Sequence, residues 1–332
     1  MASVLPKPLS DCLPVLITQG NRIITSNSRE PVLLRGVNRS GMEYSEPNDE
    51  GFASAAGISQ EEIECIVKDW NCNILRIPIN QDWALNGRRA NSSESYLEDL
   101  DRIIRWAAGC GAYTMLTLQW LNADIPYGGK RNFIAPLPNR DSIRLWGILA
   151  IRYAHEPAVL FDLYTEPHDR LRGDHNPLYH PDGELFPSKH RKITAAEWKP
   201  WARKFIEAIR GIDPEKLIFV SGLDWGYDLR GINLEYPNLV YSTHVYPKKK
   251  PGWEEAFGML AAKLPVFAAE WGGTAVDHDW GTKLTNYFDE LEIGWTAWSW
   301  SDHPHLVVDR APTKFGKIVY ELLQKNRLAD VT

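Results

Sequence analysis

No stretch of the 332-residue chain is long and apolar enough to span a membrane. Residues 12–17 are too short for the apolar core of a secretion signal and have no basic lead. Cysteine is scarce: Cys12, Cys65, Cys72 and Cys110 lack the spacing of a zinc site and read as small buried hydrophobes, with a disulfide left open. Positive charge is also short. Lys and Arg number 37 against 43 Asp and Glu, a net charge of −6, which argues against a nucleic-acid partner. The longest basic run, Lys248-Lys249-Lys250, reads as a solvated loop.

Aromatic residues, by contrast, are abundant, with 14 Trp and 13 Tyr. Trp83, Trp120, Trp225, Trp253, Trp271, Trp298 and Trp300 fall at expected strand ends and in loops. Flat apolar rings with a polar edge in such places suit stacking on a sugar face. Trp106, Trp146 and Trp201 sit in helical patterns and read as core.

The chain is organised around residues 159–168, VLFDLYTEPH. The apolar run reads as a buried strand, and Pro167 ends it because proline cannot donate to a ladder. Glu166 is thereby left at the carboxyl end of a buried strand. Similar strands are expected at 32–38, 73–79, 113–119, 217–221, 239–244, 266–270 and 294–299. Helices are expected from Ser59 as N-cap with Glu62 three residues on, and near 94–109, 141–153, 195–212, 253–262, 280–291 and 313–326. Residues 15–24 and 31–38 flank a polar turn at 25–28 and suggest a hairpin before the first of these strands. Eight strands, most separated by a helix, predict a single-domain (β/α)8 barrel over about 32–326, with the hairpin at 15–31. The link between strands five and six is too short for a full helix. The loop at 123–139 is rich in Pro and Gly, and residues 168–192 form a long insertion. The His and acidic residues of that insertion have no metal-ligand spacing.

The strand ends are a test of this layout. They carry Asn38, Arg76, Gln119 with Trp120, Glu166, Ser221, His244 with Tyr246, Glu270 and Trp298. In a barrel these positions converge on one mouth, where chemistry sits. Two glutamates on one rim suit glycoside hydrolysis, one as proton donor and the other as nucleophile or base. An Arg beside one would keep it ionised, and a less charged setting would keep the other protonated.

Six segments carry a resemblance: Leu34-Arg35-Gly36-Val37-Asn38; Asn73-Ile74-Leu75-Arg76-Ile77-Pro78; Phe161-Asp162-Leu163-Tyr164-Thr165-Glu166-Pro167; His244-Val245-Tyr246; Pro265-Val266 through Glu270-Trp271-Gly272; and Trp295 through Trp298. In this order they resemble glycoside hydrolase family 5 of clan A. The resemblance implies a retaining barrel enzyme, mostly endo-acting on β-1,4-linked glucans and mannans, with no cofactor and no metal. It implies Glu166 as acid/base and Glu270 as nucleophile. Arg76 and Tyr246 would hold Glu270, His244 would bond near the acid/base, and Trp298 would floor the sugar site. The substrate-binding set it implies is Arg76, Gln119, Trp120, Thr165, His244, Tyr246, Trp271 and Trp298. Two positions depart from the family pattern: Thr165 stands where the family has Asn, which holds the sugar 2-hydroxyl, and Gln119 stands where it usually has His. The expected partner is a β-linked oligo- or polysaccharide, with cellulose-type β-glucan first and mannan second, and no nucleic acid or membrane. A sugar-binding pseudoenzyme is the reading from another class. A monomer, secreted or periplasmic, is expected.

Overall fold

The structure is a computed structural model, described over residues 13–122, 135–170, 178–186, 192–273 and 278–329. A hairpin of β1 (Leu16–Gln19) and β2 (Arg22–Thr25) precedes the main sheet. Its turn is at Gly20-Asn21, earlier than the polar turn at 25–28 expected from the sequence. Gly20 has φ 60°, the left-handed backbone such a two-residue turn requires.

Eight parallel strands then close a barrel: β3 (Arg35–Asn38), β4 (Ile74–Asn80), β5 (Tyr113–Trp120), β6 (Val159–Asp162), β7 (Ile218–Ser221), β8 (Leu239–Val245), β9 (Val266–Trp271) and β10 (Gly294–Ala297), with β10 pairing back onto β3. Outside run α1 (Phe52–Ala55), α2 (Gln60–Glu64, continuing as a π-turn through Cys65–Asp69), α3 (Gln81–Asn86), α4 (Ser93–Gly109), α5 (Arg140–Arg152) and α6 (Ala195–Arg210). They are followed by α7 (Met259–Ala261, after a π-turn at Glu254–Gly258), α8 (His278–Glu290) and α9 (Lys314–Ala329). The fold is the (β/α)8 barrel, and the β7–β8 connection carries turns without a helix.

Local chemistry sets these boundaries. The Ser59 hydroxyl accepts from the Glu62 amide and starts α2. Asn80, read from the sequence as a turn, accepts from the Trp83 amide and caps the short helix α3. The fourth barrel strand is shorter than expected: β6 stops at Asp162, though the Leu163 amide still donates to the Phe219 carbonyl of β7 at 3.0 Å and the Thr165 amide to the Leu118 carbonyl of β5 at 2.8 Å. Cys65, Cys72 and Cys110 are free thiols; Cys12 lies outside the described residues.

Two apolar cores result. One fills the space between sheet and helices, and includes Trp83, Trp146, Trp198, Trp271 and Trp295. The other is the lower bore, where Leu34, Ile74, Met115, Leu160, Phe219, Val240 and Phe267 meet above Leu16 of the hairpin. Side chains alternate along each strand, so the residue two places further on faces the same bore one layer higher. That rule lifts Arg76 above Ile74, Thr117 above Met115, Asp162 above Leu160 and Ser242 above Val240, and so builds the floor of the barrel mouth.

Candidate active site

Arg76 is the centre of the upper bore and is wholly buried. A guanidinium has five N–H donors, and each has an acceptor here. Nε donates to Asp162 Oδ2 at 2.9 Å; Nη1 donates to Asn38 Oδ1 at 2.8 Å and Glu270 Oε1 at 2.7 Å; Nη2 donates to the hydroxyls of Thr117 and Thr165, both at 3.1 Å. Complete pairing is what lets a charge persist away from water.

Glu270 reaches this network through a bulge. The β8–β9 ladder steps from Thr243↔Ala268 to His244↔Glu270, leaving Ala269 as the extra residue. One extra residue reverses the inward and outward faces beyond it. Phe267 and Ala269 face the bore, Glu270 follows them into it, and Trp271 is turned out. The freed Ala269 carbonyl accepts from Asn38 Nδ2 at 3.0 Å and from the Thr296 hydroxyl at 2.5 Å. The second Glu270 oxygen accepts from the Tyr246 hydroxyl at 2.9 Å.

Glu166 is placed by backbone rather than by a ladder. Its φ is 63°, a left-handed conformation uncommon for a residue with a side chain and one that clusters at functional sites. His244 Nδ1 lies 3.1 Å from Glu166 Oε1 and 3.4 Å from Glu270 Oε2. One ligand-type atom from each of Glu166, His244 and Glu270 falls within 4.8 Å of the others. The His244 ring rests on Gly226, where a Cβ would come within 2.7 Å of its Cγ.

Burial shifts each of these groups away from charge. It pushes the Glu166 carboxyl up to about 7, with the positive charges of Lys249 and Arg76 opposing. It pulls His244 down to about 4, which makes the imidazole neutral at pH 7. Burial also raises Glu270, but there the Arg76 ion pair opposes it at 2.7 Å. The two carboxyls therefore differ in setting: Glu270 is bonded to a guanidinium and a phenol, and Glu166 faces a neutral imidazole.

Around this pair, the remaining expected residues divide. Trp298 is nearly buried, its indole fixed by an Nε1–H bond to the His303 carbonyl at 3.1 Å. Trp120 is half-buried and packs obliquely on Tyr44, centroids 5.7 Å apart. Gln119 is the residue skipped where the β4–β5 ladder shifts, and its buried Oε1 has no hydrogen-bond partner among the described residues. Trp225 stacks flat on His168 at 3.7 Å, and His168 Nδ1 lies 2.7 Å from the Glu166 carbonyl oxygen.

Three expectations need correction. Trp271 cannot line a groove: the bulge turns its ring outward, fully buried against Trp295 and Phe315. Trp83 and Trp300 are likewise core, and Trp253 packs on Tyr287 of α8. Thr165 does not present its hydroxyl to a sugar. It is fully buried, 2.7 Å from the Thr117 hydroxyl as well as bonded to Arg76. Thr117 donates its own proton to Asp162 Oδ2 at 3.1 Å, so Thr165 must donate its proton to Thr117. Nor can Arg76 touch substrate directly, since it has no exposed surface.

Sequence reading missed Asp162, Thr117 and Tyr44. Asp162 had a signal: it is a charged residue inside the apolar run that opens residues 159–168.

A (β/α)8 barrel with two glutamates at the carboxyl ends of its strands, one clamped by an arginine, is the arrangement of a glycoside hydrolase. The particular family follows from comparison with known proteins. Residues 28–304 match the family model Cellulase (glycosyl hydrolase family 5), and the chain belongs to that family. It is 24% identical to an endoglucanase of Paenibacillus polymyxa, over 85% of this chain and 78% of that protein. It is 21% identical to Endoglucanase A of Evansella cellulosilytica, over 81% of this chain but only 49% of the relative. Among solved structures, a β-glucanase of Saccharophagus degradans in complex with cellotetraose superposes with a TM-score of 0.74, covers 98% of each chain and is 20% identical. Among the described residues, no helix is long and apolar enough to cross a membrane.

Proposed function

We propose that this glycoside hydrolase is a retaining endo-β-1,4-glucanase with Glu270 as nucleophile and Glu166 as acid/base. The observation that carries the reading is the close approach of two differently held carboxyls, with one oxygen of each within 4.8 Å of the other. Carboxyls about 5–5.5 Å apart suit direct attack by one of them, whereas about 6.5–9.5 Å leaves room for a water. Arg76 and Tyr246 aim an ionised Glu270 at the anomeric carbon. Glu166, protonated because burial raises it to about 7, gives its proton to the departing glycosidic oxygen. A glycosyl ester on Glu270 forms as the glycosidic bond breaks. Glu166, now ionised, takes a proton from water, which attacks the same carbon and frees Glu270.

The choice of β-glucan is supported by the relatives named endoglucanase and by the β-glucanase solved with cellotetraose. Trp298, Trp120 and Trp225 are the Trp rings left near the mouth to meet sugar faces. An extracellular setting is part of this proposal, because the substrate is an extracellular polymer.

The test is chemical rescue in two variants on a β-glucoside with a good leaving group. Glu166→Ala should still form the glycosyl ester, and azide should release it as the β-azide. Glu270→Ala should lose turnover, by a factor of about 10⁴ or more, and azide should give the α-product. Swapped products would reverse the roles. A panel of soluble polysaccharides decides the rest: preference for mannan would move the assignment to β-mannanase, and binding without release of reducing ends would mark a pseudoenzyme.

A further inference from the structure

We infer that Asp162 is a positioning residue for the nucleophile: it shares the charge of Arg76 with Glu270 and so holds the Glu270 carboxylate from being over-stabilised. The inference rests on the proposed role of Glu270 for its kinetic meaning, though not for its geometry.

Asp162 is wholly buried, and three donors reach it. Its Oδ2 accepts from Arg76 Nε at 2.9 Å and from the Thr117 hydroxyl at 3.1 Å, and its Oδ1 accepts from the Ser242 hydroxyl at 3.3 Å. All three of these partners are donors to its oxygens. The guanidinium therefore lies between two carboxylates, Asp162 at 2.9 Å and Glu270 at 2.7 Å. Both carboxylates attract the Arg76 charge. Thr117 and Thr165 complete the wiring: the Thr165 hydroxyl donates a hydrogen bond to Thr117, and the Thr117 hydroxyl donates one to Asp162.

This arrangement has a chemical consequence. A nucleophile paired alone with a buried guanidinium would be a weak one, because the cation would stabilise the carboxylate more than the ester it becomes. A second carboxylate on the far side of the guanidinium offsets that effect and adds negative potential beneath a transition state that carries positive charge on the sugar. It also fixes the guanidinium plane, so that Nη1 faces Glu270.

The groups facing Glu270 are Arg76 from β4, Glu166, and His244 and Tyr246 from β8, while Asp162 from β6 reaches it only through the guanidinium between them. Glu166 in turn faces His244, with Lys249 and Asp224 further off. Removing the Asp162 charge should thus act on Glu270 more than on Glu166.

The experiment is a titration of full-length protein carrying ¹³C-labelled glutamate side chains, in the wild type and in Asp162→Asn. The two signals are assigned with Glu166→Gln and Glu270→Gln. The Glu270 carboxyl should titrate lower in Asp162→Asn by about 0.5 unit or more, and Glu166 by clearly less. The acid limb of kcat/KM on soluble β-glucan should move down by the same amount while kcat falls. Equal downward shifts of both glutamates would overturn the proposal, because water entering a loosened bore relieves burial of both. An unmoved or raised Glu270 would overturn it too. If Asp162→Asn does not fold, Asp162→Ala removes the same charge, leaves room for a water on Arg76 Nε, and carries the same expectation. A wild type without activity on any glucan, but with the Glu270 shift intact, would sink the functional reading and leave this inference standing.

Discussion

Two layers of one bore, a single side-chain step apart, have opposite chemistry. The lower layer is Ile74, Met115, Leu160, Phe219, Val240 and Phe267, closed from below by Leu16 of the hairpin. The layer above, on the same strands, is Arg76, Thr117, Asp162, Ser221 and Ser242. The step is two residues, or about 7 Å along a strand. The lower layer costs nothing to dry and packs by shape. The upper layer is expensive to dry, and is tolerated because every guanidinium donor has an acceptor. The dry floor is what allows this: with apolar rings below and no water to compete, bonds of the ion cluster keep one geometry.

The sharpest break of this comparison is a cavity in the floor. Phe267→Ala removes a ring packed edge-on to Phe219 at 5.4 Å and should cost about 3–5 kcal/mol in denaturant unfolding. Folded enzyme at low temperature should keep kcat within about twofold, since the floor lacks reacting groups. A collapse of kcat in fully folded protein would mean that floor and ion cluster are one unit.

A smaller effect is expected in the upper layer from Thr165→Val. It leaves one buried Arg76 N–H without its acceptor and should cost about 1–3 kcal/mol of stability. KM for β-glucan should not change, because the hydroxyl faces Thr117 and Arg76. A severalfold rise in KM would show that the hydroxyl does reach the sugar.

The smallest effect concerns a carboxyl of the upper half that lacks a clamp. Glu43, in the loop after β3, is buried with a Gly41 amide on Oε2 at 2.7 Å, and burial pushes it up to about 8. Folded protein then holds this proton after the unfolded chain, near its ordinary 4.5, has lost it. Between those values the folded state binds more protons, so stability falls as pH rises. His244, lowered to about 4, acts oppositely up to its ordinary 6.5, and does so in both proteins compared. Glu43→Gln should therefore gain Tm relative to wild type between pH 5 and pH 8, by a few degrees. A constant Tm difference across that range would mean that Glu43 is ionised throughout.

The sequence made the barrel, its strand order and the two glutamates legible for one reason: buried parallel strands are continuous apolar runs, and each ends where polar residues begin. It could not show the bulge at Ala269. Strict alternation from Phe267 would put Trp271 in the bore and Glu270 outside, and only the ladder reveals the reversal. For a similar reason sequence alone groups Thr165 with the substrate-binding residues: β6 ends three residues earlier, and the path of Thr165 is set by its contact with Leu118 rather than by local pattern. Asp162 was passed over because one charge in an apolar strand has no visible partner until Arg76, 86 residues earlier, is brought beside it.

The seam of the barrel also bears on the order in which the chain can assemble. β3 pairs with β10, so residues 35–37 wait for residues 295–297. The hairpin below is stitched to equally late sequence: the Thr18 amide donates to Asn238, Asn21 to the Ala261 carbonyl, and Arg22 to Glu292. As the chain leaves a ribosome, neither the floor nor the seam can close until the last barrel strand has been made. Until then Arg76 and Asp162 stay wet, and the reactive centre is among the last parts of the barrel to come into being.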